Sequence, residues 1–143
     1  MLASTLEVSE EDLIYGPSDS EKKTPDVILI ASGSEVQLCM EAQKNLKADH
    51  IDARVVSMPC IEEFEKQSAA YRESVLPSAV RARVCVEAGS PYSWYRYAGL
   101  DGEIVGMTTF GASAPAAQLF EKFGFTAENV VEKALSSIAK AGK

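Results

Sequence analysis

The sequence predicts an α/β domain, a three-layer arrangement in which a mostly parallel sheet lies between two layers of helices. Strand-like apolar runs and helix-like stretches alternate along the chain, which is typical of βαβ units. The predicted strands are nearly unbroken apolar runs rather than alternating ones, as expected for strands that are covered on both faces. They occupy residues 27–31, 53–58, 83–88 and 103–107.

The first strand and the helix after it are the most clearly defined pair. Pro25 and Gly33 bound the strand at 27–31, which is too short for a helix and rich in β-branched residues. Ser34 is predicted to cap the following helix, and Glu35 lies in its first turn, where the helix dipole favours a negative charge. Strand, glycine turn and helix form the first half of a right-handed βαβ unit.

The remaining helices are predicted from shorter signals. Helices are expected at 61–67 and 69–75, in an aromatic segment at 92–97, and from about 116 to 123. Thr126 is predicted to cap the last helix. That helix carries an apolar stripe of period 3.6, which predicts a face packed on the core: Val130, Val131, Ala134, Leu135 and Ile138.

Composition limits the classes of function that the chain can have. Its 143 residues suit one domain, and the net charge of -7 disfavours binding to nucleic acid or to an anionic membrane surface. No apolar run is long enough to span a membrane, and the first residues do not resemble a signal peptide. Cys39, Cys60 and Cys85 form no C-x-x-C pair and are interpreted as reduced core thiols. A cytoplasmic protein is expected.

Residues 1–24 differ from the rest of the chain. They are rich in charged and turn-forming residues around one short apolar island, residues 13–15. We interpret 1–24 as a linker that can end in an edge strand at 13–15, and residues 25–143 as the domain.

Candidate ligand-binding residues lie in three loops at one edge of the predicted sheet. Ligands of parallel sheets bind outside the carboxyl ends of the strands, and a helix N-terminus there suits phosphate or carboxylate. The candidates for anion binding are Gly33, Ser34, Glu87, Thr109, Gly111 and Ser113. These residues also have competing structural interpretations: a tight turn with a serine cap, ordinary helix initiation, and a hydrogen-bonded structural carboxylate.

Catalytic and metal-binding arrangements are not predicted. His50, the sole histidine, lies in a turn between acidic residues and is interpreted as a solvated surface residue. A Ser-His-Asp arrangement would need this imidazole at the opposite end of the sheet, and no cluster of histidines, cysteines or carboxylates indicates a metal site. The aromatic residues Tyr92, Trp94, Tyr95 and Tyr97 are candidates for an interface, with core packing as an equal alternative.

Six stretches follow one another along the chain as an ordered set of motifs: I-A-S-G-S-E-V (30–36), A-R-V-V-S-M-P (53–59), A-Y-R-E-S-V-L-P (70–77), V-E-A-G (86–89), M-T-T-F-G-A-S-A-P (107–115) and F-G-F-T-A-E-N-V (123–130). Together they closely resemble the C-terminal domain of transketolase, over roughly residue 25 to the end. The stretches A-Y-R-E-S-V-L-P and T-T-F-G-A-S-A-P favour transketolase over deoxyxylulose-phosphate synthase and the 2-oxoacid dehydrogenases, which contain the same domain.

The resemblance implies a mixed five-stranded sheet with one antiparallel strand, which residues 13–15 would supply. It implies an enzyme of the pentose phosphate pathway that transfers a two-carbon ketol unit between sugar phosphates. Thiamine diphosphate and a divalent metal, Mg or Ca, would lie between two larger N-terminal domains that are missing here. The cofactor motif begins G-D-G, but Leu100 precedes Asp101-Gly102 in this chain. The family's active-site histidines and phosphate-binding arginines do not map here either, so the resemblance carries no catalytic residue of the family over to this sequence.

Three hypotheses about function follow. The first is a non-catalytic domain that packs against the other transketolase domains and a second subunit, and that binds no cofactor itself. The second is a free-standing binding module for a small anionic metabolite at the carboxyl edge of the sheet. The third and weakest is a small hydrolase that uses Glu87 or His50.

Overall fold

The computed structural model describes residues 20, 24–33, 35–58, 61–87, 94–106 and 126–142. The strands are β1 (Val27–Ala31), β2 (Ala53–Ser57), β3 (Arg83–Glu87) and β4 (Glu103–Gly106). The helices are α1 (Glu35–Ala48), α2 (Ile61–Glu65), α3 (Ala69–Val75), α4 (Tyr95–Ala98) and α5 (Ala127–Ala141).

The four strands of the described residues form one parallel sheet in the order β2-β1-β3-β4. All five side chains of β1 are fully buried, as predicted from its unbroken apolar run. Each strand begins at the predicted residue. The antiparallel fifth strand expected at 13–15 and the helix expected at 116–123 lie outside the described residues.

The sheet separates two apolar cores, which gives the predicted three layers. Val27, Leu29 and Ala31 face α1 and α5, where they pack with residues such as Leu46. The alternate residues of β1 face α2, α3 and α4 in a core that contains Phe64. This alternation follows from the period of two in a strand, since successive side chains point to opposite faces.

Helix α5 begins and packs largely as predicted. The Thr126 hydroxyl accepts a hydrogen bond from the backbone N–H of Asn129 at 3.1 Å, which caps the helix. The buried face contains Ala127, Val130, Ala134 and Ser137. The prediction that Leu135 belongs to this face is wrong, because its side chain is 43% exposed. Leu135 is one residue past Ala134, and the resulting 100° turn of a helix moves it off the buried stripe.

Ser137 connects α5 to the beginning of β3 and to the turn before β4. Its hydroxyl accepts a hydrogen bond from the backbone N–H of Arg83 at 2.9 Å and donates one to the carbonyl of Asp101 at 2.5 Å. The side chain is fully buried. A polar residue is therefore tolerated in the helix face because both of its hydrogen-bonding capacities are used.

Glu103, at the start of β4, is also held by α5. Its carboxylate accepts a hydrogen bond from the Ser136 hydroxyl at 2.9 Å and pairs with the Lys140 ammonium at 2.5 Å. The Lys140 hydrogen bond is the main reason that the pKa of Glu103 is lowered. A carboxyl group whose pKa is lower in the folded than in the unfolded protein stabilises the fold at pH values above its unfolded-state pKa. This stabilisation is lost as the pH falls through the folded-state pKa.

Helix α1 ends in a Schellman motif with histidine at the position that usually holds glycine. The N–H of His50 donates to the carbonyl of Lys47, and the N–H of Ile51 donates to the carbonyl of Leu46, both at 2.9 Å. His50 has a φ of 63°, in the left-handed region, and its side chain is exposed. The structure therefore agrees with the prediction of a surface residue and adds a conformational cost.

Replacing His50 by glycine is expected to stabilise the fold. The substitution removes the Cβ contact that disfavours a positive φ, and we expect a gain of about 0.5–1 kcal/mol in the free energy of unfolding. Urea unfolding followed by the fluorescence of Trp94 would measure it, since Trp94 is the sole tryptophan and is buried. Asp49→Gly is the control. Asp49 is the preceding residue and has no positive φ, so the control should lose stability.

Candidate functional site

The carboxyl edge of the sheet brings together two of the predicted loops. Because β1 and β3 are parallel neighbours, with Ala31 beside Val86, the residues that follow them lie close in space. The Ser32 hydroxyl donates a hydrogen bond to Oε1 of Glu87 at 2.7 Å. Gly33 follows with a φ of 59° and an open side, since a Cβ there would meet nothing within 4 Å. The topology thus places Gly33 and Glu87 at one edge, as the parallel strands predicted.

The other predicted anion-binding residues cannot be added to this geometry. Ser34, Thr109, Gly111 and Ser113 lie outside the described residues. Glu87 has a structural partner in Ser32, and its carboxylate places negative charge beside the turn that would receive an anion. The anion-binding role stays a prediction, and titration calorimetry with sugar phosphates would test it.

The aromatic segment divides between core and surface. Trp94 and Tyr97 are buried, with ring centroids 6.4 Å apart and planes 68° apart, an edge-to-face arrangement. Phe64 of α2 packs edge-on to Tyr97 at 6.0 Å. Tyr95 is 55% exposed, and Tyr92 lies outside the described residues. Within this chain, Trp94 and Tyr97 are therefore core residues, whereas Tyr95 lies largely at the surface.

A polar network next to this aromatic core was not predicted from the sequence. The Tyr97 hydroxyl donates to Oε2 of Glu65 at 2.5 Å, while Oε1 of Glu65 lies 3.5 Å from Nη1 of Arg72 and 3.7 Å from Nη2 of Arg96. Burial and the hydrogen bond to Glu65 raise the pKa of Tyr97, so the phenol remains a neutral donor. The network joins α2, α3 and α4. Only the acidic character of α2 gave any indication of it in the sequence.

In the part of the chain that the structure describes, the cysteines are buried and the histidine lies away from the carboxyl edge of the sheet. Cys39 and Cys85 are buried free thiols, and desolvation raises both pKa values, that of Cys85 to about 12. His50 lies in the turn before the amino end of β2, at the opposite end of the sheet from Glu87. The described residues contain no group of three histidines, cysteines or carboxylates that could hold a metal ion. None of the described helices combines the length and apolar character that a membrane span needs.

Together, these features define a parallel α/β domain in which two loops meet at the carboxyl edge of the sheet. The sequence profile of the transketolase-like C-terminal domain matches residues 14–126. The chain belongs to this family of transketolase C-terminal domains.

Individual relatives agree with this assignment. Over 125 residues, 87% of the chain, it is 60% identical to "Transketolase 1" of Vibrio vulnificus (strain YJ016), and over 110 residues, 77% of the chain, it is 64% identical to "Transketolase 1" of Escherichia coli (strain K12). The solved structure "Transketolase from Leishmania mexicana" aligns with 90% of the chain at a TM-score of 0.80 and 40% identity. The chain spans only 19%, 17% and 18% of these three proteins, respectively.

Proposed function

We propose that this chain acts as a non-catalytic domain within a transketolase, an enzyme that transfers a two-carbon ketol unit between sugar phosphates in the pentose phosphate pathway. Membership of the transketolase C-terminal family is the observation that carries the proposal. The local geometry supports the non-catalytic part, because Cys39 and Cys85 are buried and the carboxylate of Glu87 is hydrogen-bonded to Ser32.

Thiamine diphosphate and its divalent metal would be held by other domains of the enzyme. A metal ion on a diphosphate is held by oxygen ligands, and the diphosphate itself favours positive charge nearby. The described residues contain no group of three histidines, cysteines or carboxylates that could hold a metal ion, and the chain as a whole carries a net charge of -7. We therefore assign the described residues no step that involves the cofactor.

The proposed partners are the remaining domains of the transketolase and a second subunit. Among the aromatic residues that the structure describes, the exposed Tyr95 suits such a contact best, because tyrosine is enriched at protein interfaces. A cytoplasmic location is proposed with it, since free buried thiols such as Cys39 and Cys85 suit a reducing compartment.

An activity assay and a domain exchange test this function together. The isolated chain, supplied with thiamine diphosphate, Mg²⁺, xylulose 5-phosphate and an aldose phosphate acceptor, should show no ketol transfer and no stoichiometric cofactor binding. Substituted for the corresponding domain of the Escherichia coli relative, to which it is 64% identical, it should support activity well above that of the relative without the domain. Turnover or cofactor retention by the isolated chain would contradict the non-catalytic role. Failure of the folded chimera to exceed the truncated enzyme would contradict the assembly role.

A further inference from the structure

Arg54 stands out because it is a nearly buried cation in a strand. Its side chain is 5% exposed, and its residue pairs with Ile28 in the register of β2 with β1. Strand β2 lies at one edge of the described sheet. A buried guanidinium is costly unless its donors are satisfied, so the partners of Arg54 indicate why it is there.

The two arms of the Arg54 guanidinium reach two different parts of the chain. Nη1 donates to the carbonyl of Ser74 at 2.9 Å and to that of Val75 at 3.0 Å, both in the last turn of α3. These are carbonyls that a helix end leaves without an internal partner, and they lie at the negative end of the helix dipole. Nη2 lies 3.4 Å from the hydroxyl of Ser20, which precedes Arg54 by 34 residues.

A second pair of hydrogen bonds fixes the chain shortly after Ser20. The N–H of Asp26 donates to the carbonyl of Asp52 at 2.7 Å, and the N–H of Asp52 donates to Oδ2 of Asp26 at 2.8 Å. Ser20 and Asp26 thus both form hydrogen bonds near the beginning of β2, Ser20 with Arg54 and Asp26 with Asp52. We name Ser20 together with residues 24–26 the leading segment, since it runs into β1.

We propose that Arg54 is a positioning residue that holds the leading segment against the edge of the sheet. Only a forked side chain can do this, because one arm must cap α3 while the other reaches Ser20. Lysine carries a single point charge and cannot span both partners. Within a transketolase, the contact would set the direction in which the preceding part of the chain reaches this domain. This role in the enzyme rests on the proposed function.

Limited trypsin digestion of the intact chain tests the contact itself, without reference to transketolase activity. Lys22 and Lys23 are the trypsin sites that follow Ser20 in the sequence, and loss of the Ser20 contact should raise the rate of native-state cleavage there. We expect Arg54→Lys to accelerate cleavage there by about tenfold and Ser20→Ala by a few-fold. The double variant should be no faster than Arg54→Lys alone, because both changes break one contact.

Two controls separate this effect from general destabilisation. Arg81→Lys changes an exposed arginine that pairs with Asp101 at 2.8 Å, and it should leave cleavage at Lys22 and Lys23 unchanged. Ser20→Ala should leave the urea midpoint unchanged while still accelerating cleavage. Wild-type cleavage rates in Arg54→Lys, or fully multiplicative effects in the double variant, would overturn the proposal. Should Arg54→Lys not fold, Ser20→Ala decides alone, and an unchanged rate overturns it.

Discussion

Gly102→Ala is expected to destabilise the domain by at least about 3 kcal/mol, more than a typical single substitution. A Cβ at this position would lie 2.1 Å from the carbonyl oxygen of Ala98 and 2.6 Å from its carbonyl carbon. These are backbone atoms at the end of α4, and Ala98 is itself buried against the second core. No rotamer change can relieve the overlap, so α4 and the beginning of β4 would have to move apart.

Gly142→Ala is the matched control for this substitution. Gly142 follows α5 with a φ of -78°, and a Cβ there would lie 3.4 Å from its nearest neighbour, the carbonyl oxygen of Ile138. Alanine fits this conformation, so the control should be neutral or gain up to about 1 kcal/mol through the unfolded state. Urea unfolding, monitored by Trp94 fluorescence and by circular dichroism, compares the two. Equal midpoints for Gly102→Ala and the wild type would mean that the close approach of α4 and β4 is not required.

The layered fold could be predicted because burial on both faces leaves a simple trace in the sequence. Residues 27–31 are apolar without alternation, and the structure buries all five completely. The cap at Thr126 could be predicted for a different reason, because a serine or threonine just before an apolar stripe is a typical helix start. Leu135 shows the limit. A period of 3.6 defines the centre of a buried face but not which residue at its margin faces solvent.

The polar contacts could not be predicted, because they join residues far apart in the chain. Ser137 bonds the backbone of Arg83, 54 residues earlier, and Tyr97 bonds Glu65, 32 residues earlier. Nothing local distinguishes these residues from solvated ones. The rule of parallel sheets predicted that Glu87 would lie near the turn at Gly33, and the hydrogen bond between Glu87 and Ser32 confirms this proximity. The role of Glu87 could not be predicted, because the same carboxylate can bind a ligand or accept a hydrogen bond from a neighbouring serine.

Arg83→Met should have the second large effect, a loss of about 3 kcal/mol, because four backbone carbonyls would lose a charged donor. Nε of Arg83 donates to Val80 at 3.0 Å and Nη1 to Tyr97 at 2.9 Å. Nη2 donates to Leu76 at 3.3 Å and to Pro77 at 3.0 Å. The guanidinium therefore fixes the connection from α3 to β3 and the end of α4 at once. Methionine retains the apolar stem but supplies none of these bonds.

The neighbouring arginine provides the comparison that isolates this cause. Arg81 pairs with Asp101 at 2.8 Å, but its side chain is 60% exposed, so Arg81→Met should cost less than about 1 kcal/mol. Arg83→Lys should be intermediate, since one ammonium can meet only part of the carbonyl set. The ordering of urea midpoints should be Arg81→Met, Arg83→Lys, Arg83→Met from highest to lowest. If Arg83→Met and Arg81→Met unfolded at the same urea concentration, the carbonyl contacts of Arg83 would contribute no more than a surface ion pair, and the connection from α3 to β3 would have to be held by apolar packing alone.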